Sequence, residues 1–297
     1  MLTVYSCIVY EHDLRLVALA AVICMLASVT AISLLHHVRG SNGHMQKVWF
    51  SVCATATGFG IWATHFIAML AFSPGLPTAY NITLTFLSLM AAIFLTAVGL
   101  AVATSSERGA WLGGAIVGGG IAAMHYIGMA AFEVEGRIIW DPVLVTASIV
   151  IGGLIGAMAL AAGLCNASLK WKMLGALLLT AAICGHHFTA MAAAAILPDP
   201  TIEISAASLP AGWLAIAVAS ASLIIIVLAL AGVAKELRDR RRDDVEAERA
   251  RTGQRRSGRP PGLRRPDHRH RERQLRGARR LGRKRTRRRA SSPISPG

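Results

Sequence analysis

The chain has 297 residues, 54% of them hydrophobic, yet its formal net charge is +15. The two properties are segregated: seven Lys/Arg and eight Asp/Glu precede Lys235, against 24 and eight from Lys235 onward. That division excludes an ordinary soluble body, and five scattered cysteines (Cys7, Cys24, Cys53, Cys165, Cys184) argue against a disulfide framework.

Seven apolar runs follow one another: Leu16–Leu35, Val48–Phe72, Ile82–Thr104, Ala110–Phe132, Val143–Cys165, Met173–Ile196 and Trp213–Val233. Each is close to the roughly 20 residues that cross a bilayer as a helix, the form that satisfies its own backbone there. Acidic Glu11 and Asp13 ahead of the first run, and its length, argue against a cleaved signal peptide. The spacing predicts an all-α bundle of seven transmembrane helices over residues 1–234. Gly-rich stretches at Gly113–Gly120 and Gly152–Gly156 fit close helix contact. Residues 235–251 read as a charged helical linker with mixed signs at i,i+4. Residues 252–297, rich in Arg, Pro, Gly and Ser, read as a disordered basic tail suited to anionic lipid, with no specific nucleic-acid site.

Orientation follows from the loops. Arg39, Lys47, Arg108, Lys170 and Lys172 all fall between odd and even runs, whereas the alternate loops are neutral or acidic. The positive-inside rule predicts an outer N-terminus and a cytoplasmic C-terminus.

Runs two, four and six share a motif. It reads Thr64-His65-Phe66-Ile67-Ala68-Met69, Met124-His125-Tyr126-Ile127-Gly128-Met129 and His186-His187-Phe188-Thr189-Ala190-Met191. The predicted topology puts all three copies at one depth, in the outer third of their helices. Residues four apart share a helix face, so His65 with Met69, His125 with Met129 and His187 with Met191 form three ligand pairs. Imidazole suits zinc, copper, iron and nickel, and thioether narrows the choice to soft ions. With no carboxylate beside the motif, copper is favoured over zinc, and haem held by two histidines is a lesser variant. Cys184 shares a face with His187 as a further soft ligand. Met124 and His186 point about 100° away and rank lower. His12 lies at the outer end of the first run, within possible reach; His36, His37 and His44 read as solvated.

Met124-His125-Tyr126, its two sister copies and Glu11-His12-Asp13-Leu14 resemble the MHYT domain of bacterial membrane sensors, over about residues 5–232. The namesake fourth residue, Thr, is Ile67, Ile127 and Thr189 here. The resemblance implies a sensor that binds copper near the outer face of the bacterial inner membrane and detects oxygen, carbon monoxide or nitric oxide. It also implies partners in cyclic di-GMP signalling, through PAS, GGDEF and EAL output domains that this chain does not display. Residues 252–282 admit an out-of-frame reading, Leu-Ala-Asn-Ala-Ala-Val-Glu-Gly-Leu-Leu-Val-Cys-Asp-Gly, that resembles the opening of a PAS domain.

The expectation is therefore a signalling membrane protein and not an enzyme, with no catalytic residues. A copper or proton transporter would need polar groups continuing to the cytoplasmic side, where mainly Thr55 and Thr57 stand. A metal-dependent membrane enzyme would need a general acid or base beside the metal, and only Glu133 and Glu135 come near.

Overall fold

The computed structural model describes residues 2–106, 108–205 and 207–256. Eight helices account for most of them: α1 (Leu2–Tyr10), α2 (Leu14–Gly40), α3 (Gly43–Ala71), α4 (Ile82–Ser105), α5 (Gly109–Ala131), α6 (Pro142–Cys165), α7 (Leu169–Met191) and α8 (Ala211–Arg256). Seven of them, α2 to α8, are long and apolar enough to cross a membrane, so the chain is a multi-pass, all-α membrane bundle. The chain divides into two units, the first Met1–Glu236 and the second beginning at Leu237. The predicted linker, residues 235–251, lies within α8, which is helical to Arg256. The remainder of the predicted tail, 257–297, lies outside the described residues.

Helices α2 to α7 each pack on the next, and α7 closes the ring on α2. α5 also touches α3 and α7 across the interior. The three motif helices thus meet inside the bundle, and α3 is its most enclosed member, with 83% of its apolar window buried. On α8, Leu214, Val218, Ala221 and Ile225 recur at helical spacing and are buried.

Local chemistry sets where the odd spans begin. Asp13, Asn81 and Asp141 are N-caps of α2, α4 and α6, accepting from Arg15 N, Leu84 N and Val143 N. Pro142 occupies the first turn of α6, where its missing N–H costs nothing. Two of the acidic residues at this end of the bundle are therefore caps.

The same end carries five short strands that the apolar runs conceal. β1 (Thr78–Tyr80) pairs antiparallel with β2 (Phe132–Val134) and with β5 (Leu209–Pro210). β3 (Gly136–Trp140) pairs with β4 (Ala194–Pro198), placing Trp140 opposite Ala194. The sixth apolar run was expected to continue to Ile196. Its helix stops at Met191, because the Ala194–Pro198 stretch finds a strand partner in β3. An Arg137–Asp199 pair at 2.9 Å joins the far end of this strand pair. The Thr201 hydroxyl and the Arg137 guanidinium hold the Asp199 carboxyl below its usual pKa.

Two histidines at the opposite end are more than solvated. His36 Nε2 lies 2.8 Å from Gly163 O, and His37 packs on Trp49 at 5.4 Å. Only His44 is exposed as expected.

Candidate metal centre

His65 on α3, His125 on α5 and His187 on α7 converge from three helices, one imidazole nitrogen from each lying within 4.8 Å of the others. His65 Nδ1 is 3.2 Å from His187 Nδ1 and 3.2 Å from His125 Nδ1. The ring planes stand at 73–84° to one another, and all three residues are at most 5% exposed. They share one depth because each sits four to six residues before the end of its helix.

Hydrogen bonding alone does not satisfy this group. Each Nδ1 has a single in-plane position, a proton or a lone pair, yet His65 Nδ1 faces two others. Whichever tautomers are chosen, Nε2 of His65, His125 and His187 has no partner. Buried imidazoles left this way carry a desolvation cost. A cation shared by three Nδ1 lone pairs removes the conflict between them. Metal–nitrogen bonds of about 2.0–2.1 Å at a tetrahedral angle would hold two nitrogens about 3.3 Å apart, close to the observed spacing. The residues present fit a transition metal.

A cavity of about 110 Å³ lies beside the cluster, with His65, His125, His187, Thr64, Met124 and Cys184 among its walls. Its walls extend to both sides of the imidazole level, with Ile121, Met124 and Cys184 on the deeper side and Ala68 and Phe188 on the other. Met69, Met129 and Met191, one turn toward the helix C-termini, are buried at 1–2% exposure on the other side. Helical side chains lean toward the N-terminus, so these thioethers tilt back toward the level of the imidazoles. The thioether in the cavity wall belongs to Met124. It came from a position ranked low in sequence because a one-residue step turns the side chain by 100°, and that step faces a cavity that periodicity alone does not reveal.

His186 is the other residue the spacing undervalued. It has no exposed surface, its Nδ1 lies 2.9 Å from Ser148 O, and its ring sits 5.1 Å from His125. Ser148 Oγ also bonds Tyr126 OH at 2.8 Å, so α6 positions two aromatic neighbours of the cluster. At the strand-covered end, His12 bridges to Phe72 and packs on Phe72 at 5.2 Å and Phe188 at 5.5 Å. Its Nδ1 is 2.8 Å from Cys7 O, and burial holds the imidazole pKa below its usual value. His12 therefore roofs the cluster, one aromatic layer away from it.

Seven apolar helices around a buried three-imidazole cluster define an integral membrane protein with a metal-competent core. The chain belongs to the MHYT family: the repeat described as "Bacterial signalling protein N terminal repeat" matches residues 58–114 and 118–176. The third motif copy, around His187, falls outside both matches and is established by the geometry. An uncharacterized signaling protein of Caulobacter vibrioides is 39% identical over 234 residues, covering 78% of this chain and 29% of that protein. Two Pseudomonas aeruginosa proteins are also similar. The bifunctional diguanylate cyclase/cyclic di-GMP phosphodiesterase MucR is 35% identical, over 75% of this chain and 34% of its own. The cyclic di-GMP phosphodiesterase NbdA is 38% identical, over 69% and 28%. The chain thus spans about a third or less of the length of these relatives. No solved structure matches it.

Proposed function

We propose that this protein is a sensor of the bacterial inner membrane that binds copper through His65, His125 and His187. In this reading Met69, Met129 and Met191 are supporting soft donors, and oxygen, carbon monoxide or nitric oxide is the signal. The observation that carries it is the convergence of three imidazole nitrogens within 4.8 Å on the wall of a 110 Å³ cavity. Bound there, the ion would supply an open coordination position for a diatomic molecule. The chain's own residues do the rest. The imidazoles fix the site, Thr64 offers it one hydroxyl, and the surrounding apolar walls exclude bulk water. The cavity holds more than one water-sized molecule but is well below the about 300–1,000 Å³ of ligand pockets, so haem does not fit it.

The cluster touches three interior helices, so a change in its ligands acts on α3, α5 and α7 together. The cytoplasmic readout is proposed to pass through α8, with an outer N-terminus, to partners that make or degrade cyclic di-GMP, the activity named for MucR and NbdA. This chain itself is proposed to be non-catalytic. A transporter is disfavoured because the motif helices carry no Asp, Glu, Lys or Arg along the stretch from Trp49, Ala110 and Met173 to the cluster.

Two measurements test the reading. Copper, zinc and iron contents of detergent-purified protein are compared between wild type and His65→Ala, His125→Ala, His187→Ala and their triple combination. Loss of copper in each single variant is expected, and unchanged copper in the triple variant overturns the site. A reporter fused after Lys235 is expected to be cytoplasmic; periplasmic activity would reverse the orientation.

A further inference from the structure

The imidazole cluster leaves two thiols unused. Cys24 on α2 has no exposed surface, and Cys184 on α7, three residues before His187, is part-buried on the wall of the same cavity. Neither is in a disulfide. α2 packs on α7, and Thr180, one turn before Cys184, reaches Met25 and Ser28, so the turns that carry Cys24 and Cys184 lie against each other. Thr180 Oγ1 donates to Ser28 Oγ at 3.1 Å and lies 3.8 Å from Met25 Sδ. Thr64 lines the same cavity as Cys184. A single buried cysteine is an ordinary small hydrophobe. A pair from different helices, with hydroxyls around it and a cavity beside it, is a donor set.

We propose that Cys24 and Cys184 form a second metal site, a thiol pair for a monovalent thiophilic ion of the Cu(I) class. It opens on the same cavity about one helical turn deeper than the imidazoles. Charge selects the valence. No Asp, Glu, Lys or Arg lies between Arg15 and Arg39 on α2, after Lys47 on α3, or after Lys172 on α7. Uncompensated charge at that depth is costly, which favours the ion of lower charge. Either pairing can be neutral, but a monovalent ion needs one buried thiol ionised and a divalent ion needs two, so the monovalent ion costs less. Binding breaks one S–H bond and forms one S–Cu bond; the proton leaves to solvent and no atom changes oxidation state. The second thiol and the Thr64 hydroxyl complete the sulfur and oxygen surroundings. The choice of copper as probe rests on the metal reading above, whereas the site itself rests on the paired thiols.

The full chain, purified in detergent and loaded with Cu(I) under anaerobic conditions, tests this by copper content and copper X-ray absorption. Wild type is expected to hold one copper more per chain than the Cys24→Ser/Cys184→Ser double variant. The His65→Ala/His125→Ala/His187→Ala variant is expected to keep one copper with sulfur neighbours. Equal copper in wild type and the double variant overturns the thiol site and leaves the imidazole reading standing. Copper unaffected by the triple substitution overturns the imidazole reading instead. Should the double variant fail to fold, the triple-histidine protein decides alone: no copper, or copper without sulfur neighbours, defeats the proposal.

Discussion

Gly128→Ala is expected to strip most of the bound metal from the protein while leaving every imidazole in the chain. A Cβ at this position would lie 2.5 Å from His65 Nε2 and 3.0 Å from His65 Cδ2. Real side chains do not approach that closely, so the His65 ring must move. It has little room to do so. Phe66 stands 4.7 Å from it by ring centroid, His125 4.9 Å and His187 5.3 Å. Since His65 Nδ1 is the atom that faces both other Nδ1 groups, displacing it opens the cluster at its centre. Disturbing the residues that orient metal ligands commonly costs about 10–100-fold in affinity, and a direct clash belongs at the upper end. Gly119→Ala is the control, because a Cβ there meets nothing within 4 Å. It should retain full metal and gain up to about 1 kcal/mol of helix propensity. Competition with a chelator, monitored by metal content, reads both. Wild-type affinity in Gly128→Ala would show that His65 is not held where the structure places it.

The glycine also shows what sequence carried and what it lost. Its two sister positions, Ala68 and Ala190, hold alanine, so the variation looks neutral in the repeat. Only the packing of α5 on the His65 ring makes it meaningful. The spans themselves were legible because membrane burial depends on composition over about 20 residues. Five of the seven runs start within two residues of their helices, and the exceptions have physical causes. α3 begins at Gly43 and α7 at Leu169, in polar turns that hydropathy discounts. The Ala194–Pro198 strand was absorbed into a helix because its apolar residues continue the run. α1 and the other short strands were invisible for a related reason: their stability comes from partners far away in sequence. The histidine positions were legible because a repeat fixes depth without any knowledge of packing. The faces of Met124 and His186 were not, because which side of a helix meets a cavity depends on its rotation against its neighbours. The thiol pair lies 160 residues apart in the chain, beyond any local pattern.

Gly118→Val is expected to separate α5 from α6 and to cost more stability than any single ligand substitution. The two helices approach closely at glycines: a Cβ at Gly118 would overlap the carbonyl oxygen of Gly152 and lie 2.6 Å from its carbon. Gly114 meets Gly156 in the same way one turn earlier, so the contact is a four-glycine seam. In a bilayer no hydrophobic force holds helices together, and close backbone packing is much of what does. Overpacking costs about 1–3 kcal/mol where side chains can yield, and more here, where the obstacle is backbone. The consequence reaches the cluster. Ser148, one turn from Gly152 on α6, holds both Tyr126 OH and His186 Nδ1. A Cβ at Gly152 itself would stand 3.3 Å from the His186 ring. Widening the seam therefore withdraws the support behind His125. Thermal unfolding in detergent is expected to show a markedly lower midpoint for Gly118→Val, with metal lost in parallel. Gly153→Val, one step round the same helix with open space at its Cβ, should unfold close to wild type. Equal midpoints for Gly118→Val and Gly153→Val would mean that the seam does not hold α5 against α6.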